Sequence, residues 1–378
     1  MRIALIGPTY PFRGGISHYT TLLFRELKKS HEVQLFSFKR QYPSILFPGK
    51  DDKDRSEEAI VEPGAQPVLD SMNPLTWLST ARRVRRFAPD LTLLPWWASF
   101  WTPQFFVVCS LLKLMTKSRI AFVCHNVSSH DSGAIDKLCT RIALRPADAF
   151  LVHSLEDEAR LAQLFPGKPA LRADHPTYDV FRRRNLTSAG ARSILQLSGN
   201  VLLFFGFIRP YKGLRYLIEA MPLILNHLEV TLQVVGEFWS SEARMRSLAQ
   251  RLGVADHVRF VSEYVANEDV EVYFAASDLV VLPYVSATGS GIVQTAYAMR
   301  KPVLATRVGC LPEVVEHGRT GYLVAKESPE AISSAVVDFF TKKRAHEMAV
   351  HLDRMPARFA WSNLVKSIEE LARRVEKP

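Results

Sequence analysis

The stretch from residue 201 to residue 213, VLLFFGFIRPYKG, joins an apolar run to two cations and ends on a glycine. Its first five residues are all apolar, which predicts a strand buried on both faces. Helical spacing from Gly213 to Ile224 predicts a helix directly afterwards. Arg209 and Lys212 should therefore lie at the carboxyl end of a strand and beside a helix amino terminus. Two cations there suit a diphosphate, and a surface turn with incidental charges is the alternative.

Outward from this stretch, short apolar strands alternate with helical segments in both directions. This alternation predicts an α/β protein with parallel sheets covered by helices on both faces. The pattern restarts after Arg182–Asn185, and 378 residues exceed the usual size of a single core. We therefore expect two Rossmann-like, doubly wound domains that face a central cleft, with a boundary near His175–Arg184. A ligand is expected in that cleft, at the carboxyl ends of the strands.

The elements of the first half are predicted from periodicity, and a charged segment at Asp51–Gly64 is predicted to be an exposed excursion. The predicted strands are Arg2–Leu5, Glu32–Phe38, Leu91–Leu94, Ile120–Cys124 and Ala149–Val152.

A second candidate phosphate loop covers residues 287–292, ATGSGI, between another predicted strand and helix. Gly289 and Gly291 would let backbone amides approach an anion at the helix start, and the hydroxyls of Thr288 and Ser290 could donate to it. A Rossmann fingerprint would need a third glycine and the amino-terminal strand. A flexible turn of small residues is the alternative.

Two features of the first half are predicted to face the same cleft. Gly14 and Gly15 lie between the first strand and the first helix, although paired glycines are often only turn residues. His125 follows its strand directly, and a structural histidine is the alternative there. Weaker candidates of the same kind are His130, His153 and His175.

Several classes of site are missing from the sequence. It has no nucleophile elbow, no P-loop and no histidine–aspartate cluster that suggests a metal. The four cysteines lack C-x-x-C spacing, which indicates a reducing compartment. The first apolar run is too short for a signal peptide. A cytoplasmic protein is therefore expected.

The net charge of +10 is unevenly distributed. The segment Ser71–Arg119 contains seven basic residues and one acidic residue, beside a series of tryptophans and phenylalanines. Basic residues next to exposed aromatic side chains would favour binding to an anionic membrane surface. A solvated helix face beside core aromatics is the alternative, and both remain open. Pro95 and Pro103 argue against a membrane-spanning helix at Leu91–Met115. The sequence also has no nucleic-acid recognition motif, which argues against binding of nucleic acid.

Several collinear motifs resemble glycosyltransferase family 4, the retaining GT-B enzymes. The resemblance covers nearly the whole chain and includes His125-Asn126 and the Gly14-Gly15 loop. The other motifs are Gly206–Gly213, Val234–Glu237, Tyr273–Leu279, Lys301–Thr306, Val308–Glu313, Gly318–Gly321 and a closing helix at Trp361–Val375.

The resemblance implies a first, acceptor domain over residues 1–178, with a returning helix over 361–378, and a donor domain over residues 179–360. It implies that Arg209 and Lys212 neutralise the leaving diphosphate and that His125 contacts the donor sugar. It also implies that no metal or cofactor is needed. The donor-binding residues expected from it are Gly14, Gly15, Gly206, Glu237, Tyr264, Val265, Thr288, Gly289, Ser290, Gly291 and Thr295.

One departure concerns the two glutamates that most of the family carries around the donor-site helix. No Asp or Glu lies between Asp278 and Glu313. The first glutamate position falls on Ala287 or Thr288, and the second falls on Thr295 or Ala296. The chain therefore resembles a branch with Ser-Gly in that loop, and the way the donor sugar is held stays open.

The leading hypothesis is transfer of a sugar from a nucleotide-sugar donor to a hydroxyl acceptor, with retention. By resemblance, the acceptor would be lipid-linked at the inner face of the membrane, in the synthesis of cell-surface polysaccharide or glycoconjugate. A nucleotide-sugar epimerase is a second hypothesis, and it would need carboxylates that the donor segment lacks. A catalytically silent GT-B binding or scaffold protein is a third.

Overall fold

A computed structural model describes residues 1–43, 49, 51–127, 133–355 and 357–376. The chain divides into two compact units. The first contains Met1–Arg55, Ala59–His175 and the segment from Ala360 onwards, and the second contains Ser56–Glu58 and Pro176–Phe359. The boundaries expected from the sequence, after residues 178 and 360, lie three residues and one residue beyond these points.

The first unit is built on a parallel sheet. Its strands are β1 (Arg2–Ile6), β2 (Glu32–Arg40), β3 (Ala65–Asp70), β4 (Leu91–Trp96), β5 (Arg119–Cys124), β6 (Ala149–Val152) and β7 (Ala170–Arg172). The order is β3-β2-β1-β4-β5-β6-β7, and all neighbours pair in parallel. The strands β3 and β7, which the sequence pattern does not predict, form the two edges.

Helices cover both faces of this sheet. They are α1 (Gly15–Leu27), α2 (Pro74–Phe87), α3 (Thr102–Met115), α4 (Ala134–Leu144), α5 (Leu155–Leu164) and α14 (Trp361–Glu376). Helix α2 begins where predicted, because the side chain of Asn73 accepts a hydrogen bond from the backbone of Leu75 over 3.1 Å. Helices α1 and α14 share one core cluster with the sheet, and α2 and α3 contribute to another.

Most aromatic residues of the Ser71–Arg119 segment belong to the core cluster that α2 and α3 share with the sheet. Trp96, Trp101 and Phe105 are at most 1% exposed. Trp97 and Phe100 are partly buried against the same cluster. The interpretation that these rings face a membrane is therefore wrong, and the alternative of core aromatics is confirmed. No helix within the described part of the chain is long and apolar enough to cross a membrane.

The second unit repeats the architecture with a smaller parallel sheet. Its strands are β8 (Asn200–Phe205), β9 (Val230–Val235), β10 (Val258–Val261), β11 (Leu279–Leu282), β12 (Val303–Thr306) and β13 (Gly321–Val324), in the order β10-β9-β8-β11-β12-β13. The helices are α6 (Ser188–Leu195), α7 (Leu214–Leu225), α8 (Glu242–Arg251), α9 (Asn267–Ala276), α10 (Gly291–Ala298), α11 (Leu311–Val314), α12 (Pro329–Thr341) and α13 (Ala345–Asp353).

The strand order reverses between β8 and β11, and the crevice at such a switch point is where doubly wound sheets bind ligands. Two glycines allow the close backbone packing at this edge. A Cβ on Gly236, whose φ is 142°, would lie 2.2 Å from the carbonyl oxygen of Gly206. A Cβ on Gly213 would lie 1.9 Å from the carbonyl oxygen of Pro283. A side chain at either position would push neighbouring loops apart.

The predicted exposed excursion at Asp51–Gly64 is only partly exposed. Asp54 and Ile60 are buried, and Ser56–Glu58 belongs to the second unit. There, the hydroxyl of Ser56 accepts a hydrogen bond from the backbone of Asn267 over 2.9 Å, at the start of α9. The excursion prediction is therefore wrong at these positions, because local composition does not reveal contacts made more than 200 residues away along the chain.

Candidate functional site

The two phosphate loops predicted from the sequence lie side by side in the second unit. One loop follows β8 and contains Arg209 and Lys212, and the other follows β11 and contains residues 283–290. A Cβ on Gly206 would lie 3.2 Å from both the Nζ of Lys212 and the Cδ1 of Ile292. The ammonium group therefore lies close to the first turn of α10. The loops converge at the switch point of the sheet.

Lys212 is a buried cation. Its ammonium group lies over the aromatic ring of Tyr284, with 5.7 Å between Nζ and the ring centroid. Burial, with the nearby charge of Arg209, lowers the pKa of Lys212 to about 7. Within the residues that the structure describes, neither cation has a carboxylate partner. A buried ammonium without a counter-charge is costly, so the arrangement suits an anionic ligand.

Arg209 lies over an indole ring. The Cζ of its guanidinium is 4.1 Å from the centroid of Trp239, which is a cation–π contact. Trp239 follows β9, on the loop next to that of Arg209. The sequence did not single out Trp239, and the two residues are too far apart along the chain for a spacing rule to link them.

The predicted donor residues around α10 occupy its amino-terminal end. Ser290 precedes the helix without a side-chain cap, and Gly289 is exposed. Thr288 and Gly291 are half-buried. The hydroxyl of Thr295 donates to the carbonyl oxygen of Gly291 over 3.0 Å, so its hydrogen is already used within the helix.

Three further predicted donor residues lie on the β9 and β10 side of the same edge. Glu237 is buried, and its backbone carbonyl accepts a hydrogen bond from the backbone of Ile208 over 2.9 Å. Tyr264 and Val265 follow β10 and are half-buried. The ring of Tyr264 lies 5.9 Å from that of Phe207. These residues are therefore connected to the Arg209 loop through backbone and ring contacts.

In the first unit, the histidine candidates form one cluster at the carboxyl ends of β5, β6 and β7. The ring of His125 lies 5.6 Å from His153, 6.2 Å from His175 and 4.4 Å from Tyr19. The Nδ1 of His153 donates to the carbonyl oxygen of Ala173 over 2.9 Å, so its Nε2 accepts from the hydroxyl of Tyr19 over 3.1 Å.

Burial keeps His125 and His153 neutral at pH 7. It lowers the pKa of His153 to about 4, and it lowers that of His125 well below its ordinary value, with a contribution from the neighbouring histidines. The Nε2 atom of His125 is buried and has no hydrogen-bond partner among the described residues. His125 can therefore act as a neutral hydrogen-bonding group. His130 lies outside the described residues.

The paired glycines of the first unit differ from each other. Gly14 has a φ of 102° and precedes α1, whereas Gly15 is the first residue of that helix. No atom lies within 4 Å of a Cβ placed on Gly15, apart from its chain neighbours and its own helix. The fold therefore does not require glycine at position 15. Among the described residues of the chain, no group of histidine, cysteine, aspartate and glutamate side chains could hold a metal ion.

The family described as "Glycosyl transferases group 1" matches residues 199–342. A D-inositol 3-phosphate glycosyltransferase of Streptomyces scabiei is 32% identical over 209 residues, which are 52% of this chain and 47% of the relative. A similar protein of Corynebacterium glutamicum is 28% identical over 62% of this chain and 59% of its own length. The chain thus spans about half the length of the curated relatives it matches.

Solved structures are similar to the chain over its whole length. Sucrose-phosphate synthase from Thermosynechococcus elongatus matches with a TM-score of 0.73 and 20% identity, covering 99% of this chain and 98% of that one. HepE of Anabaena, in complex with UDP and glucose, matches with a TM-score of 0.74 and 17% identity over 100% of both chains. The predicted GT-B fold is confirmed, and the match to the glycosyl transferases group 1 family lies within the second unit.

Proposed function

We propose that the protein transfers a sugar from a nucleotide-sugar donor to a hydroxyl acceptor. The observation that carries this proposal is the position of Arg209 and Lys212, without carboxylate partners among the described residues, beside the first turn of α10. The diphosphate of a donor would supply the missing counter-charge. It would also accept hydrogen bonds from the free backbone amides at the helix start.

In the proposed reaction, the bond between the anomeric carbon and the donor phosphate oxygen breaks, and its electron pair leaves with the diphosphate. The acceptor hydroxyl forms the new bond to that carbon with retention, and its proton passes to the departing phosphate. Arg209 and Lys212 stabilise the charge as it develops on the leaving group. Neither a metal ion nor a cofactor takes part in this scheme.

We assign a sugar-binding role to His125. Its neutral ring has a buried Nε2 without a partner among the described residues, and a sugar hydroxyl could hydrogen-bond to that atom. Gly14 and Gly15 would let the backbone approach the same ligand. In this proposal, hydrogen bonds from neutral groups replace the paired glutamates that the chain lacks.

The donor is best identified with a panel of UDP-, GDP- and ADP-sugars in a thermal-shift assay. UDP-glucose is the first to test, because HepE has been solved in complex with UDP-glucose. We expect one nucleotide class to raise the melting temperature. We further expect release of the nucleoside diphosphate only when an acceptor is added.

A catalytically silent binding protein is the second candidate, since no carboxylate lies between Asp278 and Glu313. It would bind a nucleotide sugar without releasing the diphosphate under any acceptor condition. An epimerase would convert the donor without an acceptor. The same incubation therefore separates the three functions.

We further propose that the protein works in the cytoplasm, attached to the inner face of the membrane through helices α2 and α4, and that its acceptor is lipid-linked. Arg82, Arg83, Arg85 and Arg86 are all exposed on α2. On α4, the side chains of Ile135, Leu138 and Ile142 follow helical spacing and are 79%, 58% and 38% exposed. Cations together with exposed aliphatic side chains suit an anionic lipid surface. A role in cell-surface polysaccharide synthesis would follow.

A further inference from the structure

Four flat side chains form a continuous row beside the candidate diphosphate site. The guanidinium of Arg209 lies over Trp239, and the ring of Trp239 lies 4.5 Å from that of Phe207, with 33° between the planes. Phe207 in turn lies 5.9 Å from Tyr264, with 30° between the planes. The row therefore runs from the Arg209 loop to the loop that follows β10.

The backbone fixes Trp239 in this row independently of Arg209. Beyond the ends of β8 and β9, the amide of Ile208 donates to the carbonyl of Glu237 over 2.9 Å. The amide of Trp239 then donates to the carbonyl of Ile208, also over 2.9 Å. These two bonds extend the parallel ladder past the strands. The indole is thus held by the sheet, while the long side chain of Arg209 depends on contacts of its own.

Arg209 lacks the usual means of orienting a guanidinium, because no described carboxylate pairs with it. Stacking on an indole restricts the guanidinium to one plane and leaves the N–H groups at its edge free to donate. A bidentate contact to phosphate oxygens needs such an edge. Without the indole, the side chain would have to be ordered when the ligand binds, and that lowers affinity.

We propose that Trp239 is a positioning residue that holds Arg209 in the orientation required to bind the diphosphate, with the ring of Phe207 packed against the indole. This inference rests on the proposed function of the Arg209 loop. It adds a residue that acts through Arg209 and need not contact the substrate.

The first test measures binding of inorganic pyrophosphate by calorimetry, which needs no donor or acceptor. Because cation–π contacts contribute about 0.5–2 kcal/mol, Trp239→Leu should weaken binding about 2- to 30-fold, and Trp239→Phe should recover most of the loss. Phe87→Leu is the matched control, since Phe87 lies under Arg2 at 4.6 Å in the first unit and takes no part in this row. Its affinity for pyrophosphate should equal that of the wild type.

A spectroscopic measurement keeps the inference testable if Trp239→Leu fails to fold. With 5-fluorotryptophan in the chain and the Trp239 resonance assigned from Trp239→Phe, pyrophosphate should shift that resonance in the wild type. The shift should be lost in Arg209→Ala. The positioning role of Trp239 and the phosphate-binding role of the Arg209 loop can be tested separately. If Arg209→Ala weakens binding but Trp239→Leu and the fluorine resonance change nothing, Trp239 has no positioning role. If Arg209→Ala also binds normally, the proposed function of the loop is wrong.

Discussion

The amide of Val285 donates a hydrogen bond of 2.7 Å to the carbonyl oxygen of Tyr211. This bond joins the loop after β8 to the loop after β11, across the switch point of the second sheet. Lys212 follows Tyr211 directly, so the bond helps to keep its ammonium group near the start of α10. Two loops that the sequence offers as separate phosphate candidates therefore belong to one candidate site.

The first prediction concerns the leaving group. Arg209→Ala and Lys212→Ala should each lower turnover about 100-fold or more, because each removes a preorganised charge from a developing negative charge. The melting temperature should change little in Arg209→Ala. Arg215→Ala is the matched control, since Arg215 is exposed and pairs with Glu219. Turnover near that of the wild type in both alanine variants would remove this loop from the mechanism.

The second prediction follows from the protonation of Lys212. The pKa of Lys212 is about 7 in the folded protein, whereas a solvent-exposed lysine, as in the unfolded chain, has a pKa of 10.5. Between these values the unfolded chain binds one more proton, so the free energy of unfolding should rise with pH across this window. Lys212→Met removes the buried charge. The variant should be more stable than the wild type at pH 7, and the difference should shrink towards pH 10.5.

Pyrophosphate binding provides an independent readout of the same group. A bound anion favours the charged form of Lys212, so binding at pH 8.5 should take up about one proton. Calorimetry in two buffers with different ionisation enthalpies measures this uptake. Lys212→Met should show none of it. Equal proton uptake in the two proteins would mean that Lys212 does not meet the ligand.

The sequence predicts the central strands well because they are buried on both faces and therefore read as continuous apolar runs. It misses β3 and β7, which form the edges of the first sheet. Strand β3 contains Gln66 and Pro67, and β7 has only three residues. An edge strand pairs on one side only, so it tolerates proline and polar residues that break the pattern.

For the site, the sequence indicates Arg209 and Lys212 because a strand end and a helix start are local features. It cannot indicate Trp239, since the contact with Arg209 depends on how two loops pair beyond the sheet. Nor could it decide between core and surface for Trp96 and Trp101. That choice depends on whether another helix covers them, and helix packing joins residues that are distant in the sequence.

The third prediction concerns the histidine cluster. The pKa of His153 is about 4 in the folded state and 6.5 in its ordinary state, so the unfolded chain binds more protons between these values. The contribution of neutral His153 to the free energy of unfolding should be fully present above pH 6.5, and it should be lost as the pH is lowered towards 4. His153→Gln should make the melting temperature of the protein less sensitive to pH in this range. His346→Gln, at an exposed position, should leave the pH dependence unchanged.

The fourth prediction separates the two roles of the amino-terminal glycines. A Cβ at position 15 meets no neighbouring atom, so Gly15→Val should leave the melting temperature nearly unchanged. Turnover should fall if the backbone approaches donor or acceptor there, because the new side chain would occupy that space. Gly14→Val should instead lower the melting temperature, since φ at Gly14 is 102°. Unchanged turnover in a stable Gly15→Val protein would limit this loop to a role in folding.

The last prediction concerns the membrane. The four exposed arginines of α2 would each contribute about 1 kcal/mol near an anionic leaflet, which is enough in sum for reversible attachment. Binding to phosphatidylglycerol vesicles should therefore weaken as salt is added, because salt screens the attraction.

Two variants separate the contribution of the α2 charges to vesicle binding from that of the apolar side chains on α4. Charge reversal at Arg82, Arg83, Arg85 and Arg86 should abolish cosedimentation with the vesicles, yet it should spare turnover of a soluble acceptor analogue. Replacing Ile135 and Leu138 by serine should weaken cosedimentation at every salt concentration, since their exposed side chains would enter the lipid interface. If neither salt nor either variant changes cosedimentation, the membrane proposal is wrong and these surfaces are ordinary solvated helix faces.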